Sequence, residues 1–340
     1  MLSSGRVSLD DMSLVSTTCA ADGDIRTFEL RTGHLTPAAT IPVGKGVSAL
    51  ALVPESERAF ASTKQPGIAH LLRDGSGWQV TGLTPTLANM TYLHPTPDGR
   101  FLLGAQYSDG YGEVWPLTAD GLGEATAHVE FRNLHCVITV GRHAYFVSLG
   151  EDLIACYELT DEGALVPLER PTLAAPKGSG PRHLIASEDG RHLYCVTEFS
   201  GQVLHLLRDQ GTGVLELAQI VTAHATDRGL KHSRFGADPA AEHLIWGADL
   251  HLAGEYLVVS ERCESTLSVL PVAAEGSLGE QVCVADTEKQ PRGFNVTDDL
   301  VVCPGEKSDQ ISLFRLHRDG QLELLERVPN GAGANWVRIG

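Results

Sequence analysis

Hydrophobic positions along the chain fall in short alternating runs, apolar then polar, broken by clusters of Gly, Asp, Asn and Ser. That pattern predicts half-buried β-strands joined by tight turns. Helical 3.6-residue spacing is missing over nearly the whole length, and the stretch from Thr222 to Ile245 stands apart as an insertion. Two turn signals alternate. The first, turn-Gly-x-Leu, recurs at Gly33-His34-Leu35, Gly163-Ala164-Leu165, Gly213-Val214-Leu215, Gly276-Ser277-Leu278 and Gly320-Gln321-Leu322, in compressed form at Gly121-Leu122. The second is a hairpin tip, at Pro97–Arg100, Gly141–His143, Glu188–Arg191, Ala253–Glu255 and Thr297–Asp299, and more weakly at Glu55–Arg58. Together they mark four short strands about every 44 residues, the period of a propeller blade.

Six complete units begin near Val47, Asn89, His135, Arg182, Trp246 and Arg292. Three strands remain at the N-terminus (Leu14–Cys19, Ile25–Leu30, Leu35–Ile41) and one at the C-terminus (Trp336–Ile339), which together complete a seventh. The predicted fold is therefore all-β: a seven-bladed β-propeller with four antiparallel strands per blade, its ring closed by N-terminal strands plus the C-terminal strand. Closure of this kind leaves no unpaired edge. Residues 13–340 are expected to form this single propeller, with an insertion at about 222–245, and residues 1–12 are expected to be disordered.

In a propeller, the start of the innermost strand and the end of the next lie on one face, so residues at those two phases converge from all blades. The starts carry Val47, Asn89, His135, Arg182, Trp246 and Arg292; the ends carry Lys64, Tyr107, Glu198, Arg262 and Glu306-Lys307. Arg182 and Glu198 flank one hairpin at about equal distance from its turn at Gly190. Two readings of that pair stand, a cross-strand ion pair at the rim or part of a site for a small anion. His135 is likewise either a satisfied polar residue of the channel or a functional one. Strand alternation turns His183 away from Arg182 and into packing. Asp249 and His251 have the spacing of two ligands on one strand face but no evident third, so no metal is expected. Trp246 and Trp336 are expected to pack between blades, and His192, His205 and His243 to lie on strand faces or the surface.

Composition narrows the function. The chain has 340 residues, 26 of them Lys or Arg, and a net charge of −17, with no basic run interleaved with aromatics, which argues against nucleic acid and anionic membranes. No apolar stretch approaches the ~20 residues that span a bilayer, and the first residues lack a signal-peptide pattern, so a cytoplasmic location is expected. The seven cysteines are scattered without C-x-x-C, and Cys136, Cys156, Cys195, Cys283 and Cys303 sit in apolar runs. They are expected to be reduced and buried. The nucleophile elbow, the phosphate loop, the dinucleotide fingerprint and the zincin motif are all absent from the sequence.

Gly180-Pro181-Arg182-His183-Leu184, Glu198, Trp246 through Leu252, Ser260-Glu261-Arg262, Gln290-Pro291-Arg292-Gly293-Phe294-Asn295-Val296, Gly305–Ser308 and Asn335-Trp336-Val337 together resemble the bacterial seven-bladed β-propeller lactonases. That family includes a 6-phosphogluconolactonase and is similar to the fungal 3-carboxy-cis,cis-muconate lactonizing enzyme. The resemblance spans the chain and is strongest from residue 178 onward. It implies hydrolysis of a sugar or sugar-phosphate lactone without metal or cofactor, by a monomer or weak homo-oligomer whose partner is a small anionic or polyhydroxylated lactone. The family's active-site groups fall on His135, Arg182, Glu198 and Arg262.

In those roles Glu198 is the candidate general base for water and the two arginines are clamps for the oxyanion or a carboxylate, since a guanidinium presents a fixed donor fork. His135 would donate to the ring oxygen or hold a hydroxyl. Arg292, Lys307, Glu306, Tyr107 and Lys64 are candidate substrate-binding residues. The family has Asn or Asp where this chain has Thr197 and Glu261, and Glu261 beside Arg262 is expected to neutralise it in part. Two alternatives remain open: a cycloisomerase acting on a carboxymuconate-like diacid, and a non-catalytic propeller scaffold.

Overall fold

The computed structural model describes residues 12–65 and 67–340; of the segment expected to be disordered, residues 1–11 lie outside the described residues. Seven antiparallel sheets follow one another along the chain. The first blade joins Ala334–Ile339 to Ser13–Cys19, Asp24–Arg31 and His34–Pro42, so both termini share one sheet, as the repeat count predicts. Thr18 pairs with Trp336, and Leu14 and Gly340 exchange backbone hydrogen bonds of 2.8 and 3.1 Å. No helix among the described residues is long and apolar enough to cross a membrane.

The first strand of each sheet faces the axis. These strands are Ala334–Ile339, Leu50–Leu52, Tyr92–Pro95, Leu134–Val140, Pro181–Ala186, Gly247–Ala253 and Asn295–Thr297, and each touches the next around a closed ring. The second strands are covered on both faces by neighbouring blades, which is why Phe101–Gln106 and His143–Ser148 are buried at every position. The outermost strands alternate, as Ala127–Glu130 and Cys283–Asp286 do, because one face meets water. In the third blade the outer strand is split into Gly121–Leu122 and Ala127–Glu130, the structural counterpart of the compressed turn signal there.

The Gly-x-Leu signal has a packing cause. Tyr145 Oη donates to the Gly213 carbonyl of the next blade, and Tyr194 Oη to that of Gly276, each at 2.7 Å. Gly276 holds φ 82°, and a Cβ there would stand 2.3 Å from the His192 ring. Only glycine offers both the backbone shape and the clearance.

The insertion carries a short 3₁₀ turn, Thr226–Arg228, and one α-helical turn, Pro239–Glu242. It is tied to the blade it leaves through Ser233 N to Phe199 O at 2.9 Å. All seven cysteines are free thiols; five are buried, but Cys283 is half-exposed rather than buried, and Cys19 joins the buried group. Of the two places expected for His205, it takes the strand face. It is buried, stacked on Tyr194 with ring centroids 5.2 Å apart, and accepts or donates 3.0 Å from His192.

Candidate active site at the channel mouth

A bulge recurs at the start of the axial strands. Leu134 pairs with Ser148 but Cys136 with Val147; Pro181 pairs with Thr197 but His183 with Val196; Gly247 pairs with Glu261 but Leu250 with Val259. Each time one strand holds an extra residue, and such an insertion re-aims a side chain. The unpaired residues are His135, Arg182 and one of Ala248-Asp249. Asn335 occupies the same place on the closing strand. Arg182 and His183 therefore both reach the axis, with Arg182 Nη1 3.1 Å from His183 Nε2. Strand alternation alone misplaces His183, because alternation fails at a bulge.

The ends of the second strands follow a matching rule. Thr63, Gln106, Ser148, Thr197 and Glu261 each turn back to bind the backbone of the loop that follows. At four of these five ends the next residue, Lys64, Tyr107, Glu198 or Arg262, reaches the mouth, while after Ser148 it is the buried Leu149. Glu261 accepts from the amides of Trp246 (2.8 Å), Cys263 (3.0 Å) and Glu264 (2.8 Å). It makes no ion pair with Arg262, which pairs with Glu198 instead, so the neutralisation expected from adjacency is reduced to an attraction of charges not in contact. Thr197 does the same capping work one blade earlier, which removes the significance of the missing Asn or Asp.

These two phases meet at Glu198. Arg182 Nε donates to Glu198 Oε2 at 2.9 Å, and Arg262 Nη2 lies 2.9 Å from the same oxygen. Arg182 is fully buried and also donates through Nη1 to the Ala248 carbonyl. Arg262 is clamped from the other side by the Trp246 ring, 3.9 Å from its guanidinium carbon, a cation–π contact. Gly247 beside it approaches the fifth blade so closely that a Cβ would stand 2.3 Å from the Thr197 carbonyl oxygen.

Burial by itself would raise the Glu198 pKa, but the charges of Arg262, Arg182 and Arg292 outweigh it and hold the carboxyl below its usual value. Glu198 is ionised at neutral pH, with Oε2 occupied by two guanidiniums. Burial is also the main cause that pushes His135 well below 6.5, reinforced by the Arg182 charge. His135 is therefore a neutral imidazole, able to hydrogen-bond but not to act as an imidazolium acid. Two buried atoms of these side chains lack a partner among the described residues, His135 Nδ1 and Arg182 Nη2.

The third partner of Asp249 and His251, invisible in sequence, is His183. Its Nδ1 lies 2.7 Å from Asp249 Oδ1, while His251 Nε2 is 3.4 Å from Oδ2. Burial lowers the His183 pKa to about 4, so the neutral ring donates from Nδ1 to Asp249 and accepts from Arg182 at Nε2. A continuous chain thus runs from Asp249 through His183 and Arg182 to Glu198 and Arg262. Tyr92, His135 and Trp336 pack against the His183 ring with centroids 5.1 to 5.5 Å away and floor the site.

A stability prediction follows from His183. Its folded pKa lies below the unfolded 6.5, so between pH 6.5 and about 4 the unfolded chain binds a proton that the folded chain refuses. Stability is full above 6.5 and falls as pH drops through that window, by on the order of 3 kcal/mol from this one residue. Urea midpoints measured from pH 7 to pH 4.5 should decline accordingly, and by less in His183→Gln.

The remaining sequence candidates lie around this centre. Arg292 Nη1 donates to Glu306 Oε1 at 3.4 Å, and Gln290 Nε2 holds Oε2. Tyr107 is half-buried, 5.6 Å from the His135 ring. Arg292 and Lys64 line a cavity of about 220 Å³, and Lys64, Glu306 and Lys307 line a more open groove of about 870 Å³ beside it. Among the described residues, one cluster has metal-type ligands, His243, Cys263 and Glu264; none of the three lines either cavity.

Residues 12–339 match the family described as "Lactonase, 7-bladed beta-propeller". The chain belongs to this lactonase family. It is 28% identical over 318 residues to a protein named 6-phosphogluconolactonase from Pectobacterium carotovorum, covering 90% of this chain and 92% of that one. Among solved structures, a Lactobacillus plantarum protein is 24% identical at a TM-score of 0.84, covering 97% of this chain and 100% of that chain. The periplasmic gluconolactonase of Pseudomonas aeruginosa is 23% identical at 0.83, covering 96% and 98%. At those identities the two structures speak for the fold. Membership makes the chain an enzyme of the lactonase class.

Proposed function

We propose that the protein hydrolyses a sugar lactone at the mouth of its channel, in the manner of the 6-phosphogluconolactonases it resembles, with Glu198, Arg182, Arg262 and His135 as the working groups. The supporting observation is the Glu198 carboxylate, ionised and held by two buried guanidiniums through one oxygen, with Arg182 Nη2 and His135 Nδ1 left without a partner among the described residues. Geometry of this kind supplies what ester hydrolysis requires, a base beside fixed donors for an oxyanion.

In this mechanism Glu198 Oε1 accepts a proton from water as the water oxygen bonds to the lactone carbonyl carbon. The carbonyl oxygen gains negative charge and meets Arg182 Nη2, preorganised by its bonds to Glu198, His183 and Ala248. The ring C–O bond then breaks, and the proton on Glu198 passes to the departing alkoxide. Neutral His135 hydrogen-bonds a hydroxyl or the ring oxygen and transfers no proton of its own. Because Glu198 is a weak base, the expected acceleration is modest, which suits lactones that also open spontaneously.

The seven free thiols support a cytoplasmic setting. The test is acid release from sugar δ-lactones followed at constant pH. The wild-type protein should open them well above the spontaneous rate, and release at only the spontaneous rate would overturn the proposal.

A further inference from the structure

Outside the channel, three side chains with metal-binding donors converge where the insertion meets the sixth blade. They are His243, Cys263 and Glu264, whose ligand atoms all lie within 4.8 Å of one another. His243 Nε2 is 2.7 Å from Glu264 Oε1, and Cys263 Sγ lies 3.4 Å from the Pro239 carbonyl oxygen. Tetrahedral zinc, with bonds of about 2.0–2.3 Å, sets its donors about 3.3–3.8 Å apart, so side-chain shifts of about 1 Å bring these three to that spacing. His243 is exposed, which leaves a fourth position to water.

The backbone holds these groups in place on both sides. His243 ends the Pro239–Glu242 turn at φ 56°, a left-handed conformation that residues other than glycine rarely adopt. On the sixth blade the amides of Cys263 and Glu264 both donate to Glu261, at 3.0 and 2.8 Å. Arg228, from the 3₁₀ turn of the insertion, lies 3.7 Å from Glu264 Oε2 and 2.9 Å from Asp286. It orients the carboxylate from behind and leaves Oε1 beside the imidazole, the arrangement that outer-shell partners give to ligand groups. Sulfur, imidazole nitrogen and one carboxylate oxygen suit a cation of the zinc class, whereas magnesium and calcium take oxygen donors.

We propose that His243, Cys263 and Glu264 bind one divalent cation of the zinc class, which pins the insertion to the loop carrying Arg262. Cys263 gives its S–H proton to solvent as its sulfur bonds to the cation. His243 binds through the Nε2 lone pair with its proton on Nδ1, and Glu264 Oε1 completes the protein ligands. The consequence for the channel is positional. Arg262 directly precedes Cys263, and Trp246, which clamps it, comes three residues after His243. Arg262 N donates to the Trp246 carbonyl at 3.0 Å, and Trp246 N donates to Glu261 at 2.8 Å. The cation adds a further tie between the same two segments and so keeps the guanidinium and its ring together.

The test is metal binding by the full chain after treatment with a chelator, read without substrate so that its outcome is separate from that of the lactonase reading. Calorimetry with Zn²⁺ should show one equivalent bound, and Co²⁺ in its place should give the intense thiolate-to-cobalt absorption that a histidine and a carboxylate alone do not produce. Added Zn²⁺ should also raise the melting temperature, because a ligand that binds only the folded state stabilises it. Cys263→Ser and His243→Ala should each weaken Zn²⁺ by more than the about 10- to 100-fold that loss of an outer-shell partner costs, and Cys263→Ser should abolish the absorption. Cys283→Ser, at the other half-exposed thiol, should bind and absorb as the wild type does. His243→Ala changes an exposed side chain, so its result decides if Cys263→Ser fails to fold. Absence of stoichiometric binding by the wild type, binding that neither substitution weakens, or an absorption lost in Cys283→Ser rather than Cys263→Ser would overturn the site.

Discussion

Glu198→Gln should lose on two measurements at once. Removing the base from the water-activation step lowers kcat/KM for lactone opening by roughly 10²- to 10⁴-fold. The same change leaves Arg182 and Arg262 buried with no carboxylate between them, and breaking a buried pair by deleting one partner costs on the order of 3–5 kcal/mol. The depressed pKa of Glu198 has the matching sign: the arginine charges outweigh burial, so the ionised carboxylate stabilises the fold above its unfolded value and loses that contribution only as pH falls below it. Glu198→Asp separates the two effects. It restores the charge and most of the urea resistance, but the shorter side chain withdraws the oxygen from the water, so activity stays low. Circular dichroism on the same samples identifies the folded fraction, and wild-type acid release by folded Glu198→Gln would remove the base assignment.

The blade count, the closing strand and the positions of Arg182, Glu198 and Arg262 were legible because a propeller is periodic. Turn residues report the period, and phase then converts position into direction. What escaped was local geometry that breaks the period. His183 follows Arg182, and simple alternation sends it outward, but the bulge between Pro181 and His183 keeps both on the axis. Asp249 sits in the equivalent bulge one blade later, which is how it meets His183 from 66 residues away. Glu261 looked like a neutralising charge for its neighbour because sequence shows adjacency, not orientation. In the fold its carboxylate is spent on three backbone amides. Cys283 differs from expectation because it lies on an outer strand, where alternation leaves one face to water, whereas Cys136, Cys156, Cys195 and Cys303 lie on inner strands and are buried.

The recurring bulge also explains how one architecture gathers charge where strands ordinarily bury apolar side chains. A regular axial strand would place either Arg182 or His183 in the mouth, and the unpaired residue allows both. Burying the guanidinium is then made tolerable by four partners drawn from two blades: Glu198, His183, the Ala248 carbonyl and, through His183, Asp249. The site is rigid because each member is held from at least two sides, and rigidity is what a fixed oxyanion donor needs.

Arg182→Met tests that arrangement directly. Loss of the donor aimed at the carbonyl oxygen should lower kcat by about 10²- to 10³-fold. The stability change is the outcome of two opposing effects. Burial of the guanidinium already depresses the Arg182 pKa despite the Glu198 charge, so its removal relieves a desolvation penalty. Against that, the Ala248 carbonyl and His183 Nε2 lose their donor, and Glu198 keeps only Arg262 in direct contact. Unsatisfied buried groups weigh about 1–3 kcal/mol each, so a net loss on the order of 2 kcal/mol is expected in the wild-type background. In the Glu198→Gln background the sign should reverse, because Arg182 is there one of two uncompensated buried cations, and the double variant should be more stable than Glu198→Gln alone. Urea unfolding of the four proteins closes the cycle, with a coupling of about 2–3 kcal/mol, the upper end for groups in direct contact, expected from the reversed sign. Additive losses would show that Arg182 and Glu198 do not form one electrostatic unit, and the preorganised donor would lose its physical basis.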